Sequence, residues 1–195
     1  MVPSGILPAP SILLNDRVGV GTSSVETYSL LGLGSDDIFD VTGQANILVR
    51  VEGGEPGASD VLNYSSVGAT TLDLGNETID DSGVAGSPDV VYSEIETINI
   101  DTGGSDLTVE LTDLDDTVSV APQGANSGQV VRGDTMPVVN FTGAGVFTVD
   151  TLAGRDTLIV NGSSGPDVIT VNSVAVDMTN PDRERVNYQN VEAVT

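Results

Sequence analysis

Short apolar runs of five to seven residues, each bounded by Gly, Asp, Asn, Ser or Pro, recur along the whole 195-residue chain. They include residues 45–51 (ANILVRV), 68–74 (GATTLDL), 95–100 (IETINI), 106–111 (DLTVEL), 116–120 (DTVSV), 156–160 (DTLIV) and 167–171 (DVITV). A helix needs apolar residues at i, i+3, i+4 and i+7, and no stretch sustains that pattern. Several runs alternate instead. Ile47, Val49 and Val51 fall on one side of an extended chain, as do Leu107, Val109 and Leu111, and Val118 with Val120. Many short strands closed by turns leave three architectures: a sandwich, a barrel or a solenoid.

Internal similarity separates these. One local form, a Gly or Ser, then Asp, then an apolar run, returns around Asp36, Asp60, Asp89, Asp106, Asp116, Asp156 and Asp167. A second form, apolar–Glu–small, returns at Glu26, Glu96 and Glu192, preceded in two cases by Tyr92 and Tyr188 at the same offset. Such recurrence marks a solenoid, in which each coil buries its apolar face only by stacking on its neighbours. The predicted fold is all-β, a parallel β-solenoid (a right-handed β-helix or β-roll) over residues 24–195. Residues 1–23 read as an extended N-terminal segment, an assembly or capping arm. The alternative is an antiparallel β-sandwich. At ~22 residues and ~4.8 Å per coil, about nine coils give a rod on the order of 40 Å. Insertions near residues 121–136 and 177–186 would shorten it.

Composition narrows the chemistry. The chain has 29 acidic residues against 6 basic ones, all Arg, for a net charge of −23, and it has no Cys, His, Lys or Trp. No disulfide, thiolate nucleophile, Ser–His–Asp triad, Schiff base or complete Walker A loop can be built from it. A nucleic-acid partner is not expected, because phosphate would be repelled. Membrane insertion is not expected either, since no apolar run approaches ~18 residues. Residues 1–17 lack the basic start of an export signal. Four N-glycosylation sequons, at Asn63, Asn76, Asn140 and Asn161, follow from an Asn-, Ser- and Thr-rich composition. Tyr28, Tyr64, Tyr92 and Tyr188 read as rim packing.

Residues 162–170 (GSSGPDVIT) match the calcium-binding nonapeptide G-G-x-G-x-D-x-U-x except for Ser163 at the second Gly. Residues 31–39 (LGLGSDDIF) match except for Leu31 at the first, and residues 151–159 (TLAGRDTLI) keep Gly154, Asp156 and Leu158. The chain thus resembles a degenerate RTX-like, haemolysin-type β-solenoid, and its wider pattern looks like repeat units of very large bacterial surface and secreted proteins. The resemblance implies a secreted, cell-surface location and calcium held between coils by Asp carboxylates and Gly carbonyls. Calcium takes six to eight hard oxygens. The candidate ligands are Asp36 and Asp37 with Gly34, Asp156 and Asp167 with Gly154 and Gly165, and Asp113, Asp115 and Asp116. The other reading of each is a carboxylate that caps its own turn.

The expected function is structural and non-catalytic: a filament, surface-layer, stalk or adhesin module. Its partners would be further copies joined head to tail, or neighbouring repeats of a longer chain. One alternative is a calcium-dependent module for a surface polysaccharide or cell surface. The other is a polysaccharide-active β-helix enzyme, in which Arg132, Arg155, Arg183 and Arg185 would meet acidic sugar. Arg183 and Arg185 are otherwise expected to offset Asp182 and Glu184.

Overall fold

A computed structural model describes residues 11–14, 20–21, 26–43, 47–55, 59–81, 88–133, 137–178 and 183–195. All regular structure in these residues is β. The chain enters through β1 (Ser11–Leu14) and β2 (Val20–Gly21), then alternates between two sheets through β3 (Thr27–Leu31), β4 (Ile38–Thr42), β5 (Leu48–Glu52) and β6 (Val61–Ser65). Three strands follow in one sheet, β7 (Thr70–Asp73), β8 (Thr78–Asp80) and β9 (Val90–Ser93), before β10 (Thr97–Asp101) and β11 (Leu107–Glu110). A second trio, β12 (Thr117–Gly124), β13 (Ser127–Arg132) and β14 (Val138–Thr142), lies in the other sheet. After β15 (Phe147–Asp150) and β16 (Thr157–Val160) comes a third trio, β17 (Ile169–Val171), β18 (Ala175–Met178) and β19 (Val186–Gln189), and finally β20 (Ala193–Val194).

The molecule is a β-solenoid of two ten-stranded sheets. The first runs β2-β1-β4-β6-β10-β14-β13-β12-β16-β20, the second β17-β18-β19-β15-β11-β7-β8-β9-β5-β3. Coil-to-coil pairings are parallel and in register, as in Asn63↔Asn99↔Asn140. The two residue patterns that single out a solenoid therefore have a physical counterpart. The sandwich alternative would need antiparallel neighbours throughout, and among the described residues only the trios and the β1–β2 and β1–β4 pairs supply them.

The coil length departs from the expected 22 residues. β4 to β6 is 23 residues in the paired register (Ile38↔Val61), but β6 to β10 is 36 (Val61↔Thr97) and β10 to β14 is 41 (Thr97↔Val138). The difference is the trio. Each long coil advances three places along its sheet and then folds back, so that the antiparallel middle strand and the third strand fill the two places it skipped. Residues 127–132, expected inside an insertion, are the middle strand β13. Ten strands at ~4.8 Å still span about 43 Å, close to the expected rod.

The core lies between the sheets. Leu62, Ile98, Val118, Val139 and Leu158 of the first sheet, and Leu72, Ile79, Val90, Leu107 and Val149 of the second, are fully buried in one cluster. Each such side chain contributes about 1.5–3 kcal/mol relative to exposure. Tyr64 and Tyr92, expected at the rim, are core residues. On the outer face of the first sheet a side-chain amide ladder crosses five strands. Asn63 donates to Asp40 (2.7 Å), Asn99 to Asn63 (2.8 Å), Asn140 to Asn99 (2.9 Å) and Gln129 to Asn140 (2.9 Å). Asn63 and Asn140 thus owe their recurrence to stacking, since each amide both gives and accepts along the axis.

Candidate functional site

The conspicuous chemistry of this chain, its carboxylates, gathers at the corners where the second sheet hands over to the first. At one end of the solenoid the Asp37 N–H donates to Asp60 Oδ1 (2.7 Å) and the Asp60 N–H to Glu96 Oε2 (2.7 Å). The same relay recurs further along: the Asp116 N–H donates to Asp156 Oδ1 (2.8 Å) and the Asp156 N–H to Glu192 Oε2 (2.6 Å). Each residue stands immediately before a strand of the first sheet. The side chains of Asp60, Glu96, Asp156 and Glu192 each satisfy the backbone donor of the counterpart in the adjacent coil. A buried N–H left unmade costs about 1–3 kcal/mol, which is the reason for an acceptor at every coil.

This relay explains two of the three members of the second recurring sequence form; Glu26 precedes β3 of the other sheet. Glu96 and Glu192 close three-residue corners (94–96 and 190–192), whose first residues, Glu94 and Asn190, take positive φ (54° and 58°). A corner that short holds the backbone back, and the longer Glu arm reaches where Asp serves elsewhere. The tight approach also explains two glycines. A Cβ on Gly53 would lie 1.9 Å from the Glu94 carbonyl oxygen and 2.6 Å from Asp60 Oδ2. On Gly154, at φ 144°, it would lie 2.4 Å from the Leu114 carbonyl.

The candidate ligands divide accordingly. Asp116 is buried and accepts from the Thr112 N–H (3.0 Å) and hydroxyl (2.7 Å), with Arg132 Nε 3.6 Å away. Asp156 lies beside it along the axis. Asp115 is exposed and accepts from the Arg155 N–H (3.1 Å); Asp113 and Asp36 are exposed. Asp37 is half-buried, and Gly34 packs over the Glu55 carbonyl. Asp167 is not brought to Asp156: one precedes β16, the other follows it at the opposite corner, so the strand separates them. Both Asp167 oxygens accept from Ser163, one from its N–H and one from its hydroxyl (2.8 Å each), and Gly165 closes that turn. The nonapeptide-like segments 31–39 and 162–170 therefore occupy opposite corners and do not stack.

Three carboxylate oxygens in the relay, Asp37 Oδ2, Asp60 Oδ2 and Asp156 Oδ2, are buried with no hydrogen-bond partner. They are hard oxygens, the donor type calcium takes. Among the described residues, however, no three acidic side chains gather in metal-holding geometry. A second acidic row, Asp73, Glu110 and Asp150, crosses β7, β11 and β15 in register. Burial, with the neighbouring Asp73 and Asp150, pushes the Glu110 carboxyl up.

Arg183 and Arg185 brace the fold. Arg183 donates to the Pro122 (3.1 Å) and Gln123 carbonyls at the β12–β13 turn. Arg185 pairs with Asp177 at 3.5 Å, not with Glu184, and Asp182 lies outside the described residues. Glu184 is 4% exposed, and burial pushes its carboxyl up to about 7, opposed only in part by the Phe147 backbone hydrogen bond. The folded state therefore holds a proton there that the unfolded chain, at an ordinary 4.5, has released. Stability falls as pH rises through that window. Glu184→Gln is expected to remove this slope and to gain about 2 kcal/mol at pH 8, with little change at pH 4. Urea unfolding of both proteins at the two pH values reads it; a wild-type-minus-variant difference independent of pH would contradict the assignment.

No family model matches the chain, and no match was found among curated proteins or solved structures.

Proposed function

We propose that the protein is a non-catalytic structural module, a stalk, filament or surface-layer element of an extracellular assembly. The observation that carries this reading is the carboxylate relay. The buried acidic groups of the corners face the next coil's backbone instead of a cleft, so they lengthen the solenoid and are not displayed to a substrate. The outer faces carry the amide ladder and the acidic row, both of which stabilise an extended object along its axis. A general acid in a polysaccharide-active enzyme needs a second carboxylate across a substrate-sized gap, an arrangement the relay does not offer.

Incubation with a panel of neutral and acidic polysaccharides tests the reading. The expected result is full-length polymer, with no new reducing or unsaturated ends. Chain cleavage would overturn it.

A second reading is favoured by the three unpartnered buried oxygens: calcium seated at the corners stiffens the module. Asp37 and Asp60 would hold it at one corner and Asp156 at another, and it would supply charge neutralisation. A ligand bound only by the folded state raises the melting midpoint, by about 2.7 kcal/mol of stability at a hundredfold excess over Kd. Melting in millimolar calcium is expected several degrees above melting in chelator. Coincident curves would remove calcium and leave the structural role standing.

A further inference from the structure

The two outer faces of the solenoid differ in charge. On the second sheet, β7, β11 and β15 turn six side chains outward, and three of them, Asp73, Glu110 and Asp150, are acidic. On the first sheet, β6, β10 and β14 turn nine side chains outward; one of them, Asp101, is acidic and none is basic. In a chain with 29 acidic residues, this middle stretch of the first sheet is kept nearly neutral.

In-register pairing sorts its polar side chains into two rows along the axis. One row is the amides of Asn63, Asn99 and Asn140. The other is Ser65, Asp101 and Thr142, all exposed. Between the rows lies an open groove of about 290 Å³. Tyr64 and Ile100 also border it, but their side chains belong to the core, so the floor there is backbone. Pockets that enclose small molecules start at roughly 300 Å³. An open groove at that lower bound suits a segment of a long chain lying along it.

The groove has hydrogen-bonding capacity to spare. The ladder uses one N–H and one oxygen lone pair of each of the three asparagines. A side-chain amide has two of each, so every rung keeps one donor and one acceptor. The Ser65 and Thr142 hydroxyls can also do both. Asp101 Oδ1 accepts from the Gly103 N–H (3.0 Å), and its carboxylate adds acceptors only. The rungs repeat every ~4.8 Å.

These features select a partner. It is uncharged, because the groove holds no cation and a net charge of −23 repels phosphate, uronate and a second copy of this chain alike. It carries donors and acceptors together at short, regular intervals. It is extended along the axis. A peptide strand meets the last two conditions, but it adds to sheet edges and this groove lies on a sheet face. A polyhydroxylated chain meets all three.

We propose that the groove binds a neutral polysaccharide lengthwise, its hydroxyls pairing with the Asn63, Asn99 and Asn140 amides on one side and with Ser65 and Thr142 on the other. The proposal rests on the structural reading above and deepens it by naming a partner: the module would hold a wall or matrix chain without cutting it.

Electrophoresis in native gels tests this, since so acidic a protein migrates readily. The gels contain chelator and, in turn, dextran, soluble starch, galactomannan, mixed-linkage β-glucan or polygalacturonate. The expected result is retardation in at least one of the neutral gels and none in polygalacturonate. Ser65→Glu and Thr142→Glu place a charge in the groove at exposed positions, so wild-type melting midpoints are expected of both. Each should weaken the retardation by about tenfold. Ser29→Glu, the same change at an exposed position on the second sheet, should leave it unaltered. No retardation in any neutral gel, equal retardation in polygalacturonate, or groove variants that bind like the wild type would overturn the proposal. The two readings fail separately. New reducing ends on a retained chain would end the non-catalytic reading and leave the groove, whereas gels without retardation would end the groove and leave that reading.

Discussion

Replacing Asp156 with alanine is expected to lower the melting midpoint by about 5–10 °C. Asp156 is 1% exposed, and its Oδ1 accepts from the Asp116 N–H at 2.8 Å. Alanine removes that acceptor without admitting water, so a buried donor is orphaned, at about 1–3 kcal/mol. The vacated carboxyl volume adds a smaller term. For a chain of this size each kcal/mol moves the midpoint by roughly 2–4 °C. Asp156→Asn separates the two readings of this residue. It keeps an acceptor oxygen and removes the charge, so if Asp156 is a cap the loss should stay below about 1 kcal/mol. If the residue also holds calcium, asparagine should abolish the calcium-dependent rise while leaving the melt in chelator near wild type. An alanine variant that melts with the wild type would show that the relay contributes nothing.

The strands were legible because burial alternates with period two. Val49 and Val51, Leu107, Val109 and Leu111, and Val118 and Val120 are buried on the faces that their spacing predicts. The trios were not legible, because a turn that folds back within a sheet and a corner that crosses between sheets use the same residues. Gly75-Asn76 before β8 and Asn172-Ser173 before β18 are hairpins, while Gly103-Gly104 before β11 is a corner, and nothing local tells them apart. Coil length was misread for that reason, since a folded-back strand adds residues without adding a coil.

The site was half visible. That Asp before a strand caps something was readable from chemistry alone. That the capped group lies one coil away was not, because Asp116 and Asp156 are 40 residues apart and meet only through coil stacking. The Glu of the repeated apolar–Glu–small form carried the missing signal. It recurs one place before a strand, as the Asp residues do, and an identical position with a longer arm implies the same duty across a shorter corner.

Phe141→Ala is expected to be the most damaging single core change, at about 3–5 kcal/mol. Phe141 is the penultimate residue of β14 and Phe147 begins β15, with one short corner between them. Their rings stack at 4.3 Å with an interplanar angle of 15°, and both are essentially unexposed. Phe141 belongs to the first sheet and Phe147 to the second, so the stack ties the sheets together where the second trio rejoins the coil. The Phe141 ring also lies over Gly128 of β13, where a Cβ would come within 2.8 Å of it. Truncation would therefore open a cavity bordered by both sheets and by the antiparallel middle strand, and neither sheet can collapse into it without breaking register. Phe141→Leu, which refills most of the volume but loses the stacking, should cost about 1–2 kcal/mol. Urea midpoints of the three proteins measure the series. Equal losses for leucine and alanine would show that ring stacking, and not volume, holds this junction. A loss below about 1 kcal/mol for alanine would mean that the sheets are joined chiefly by their corners.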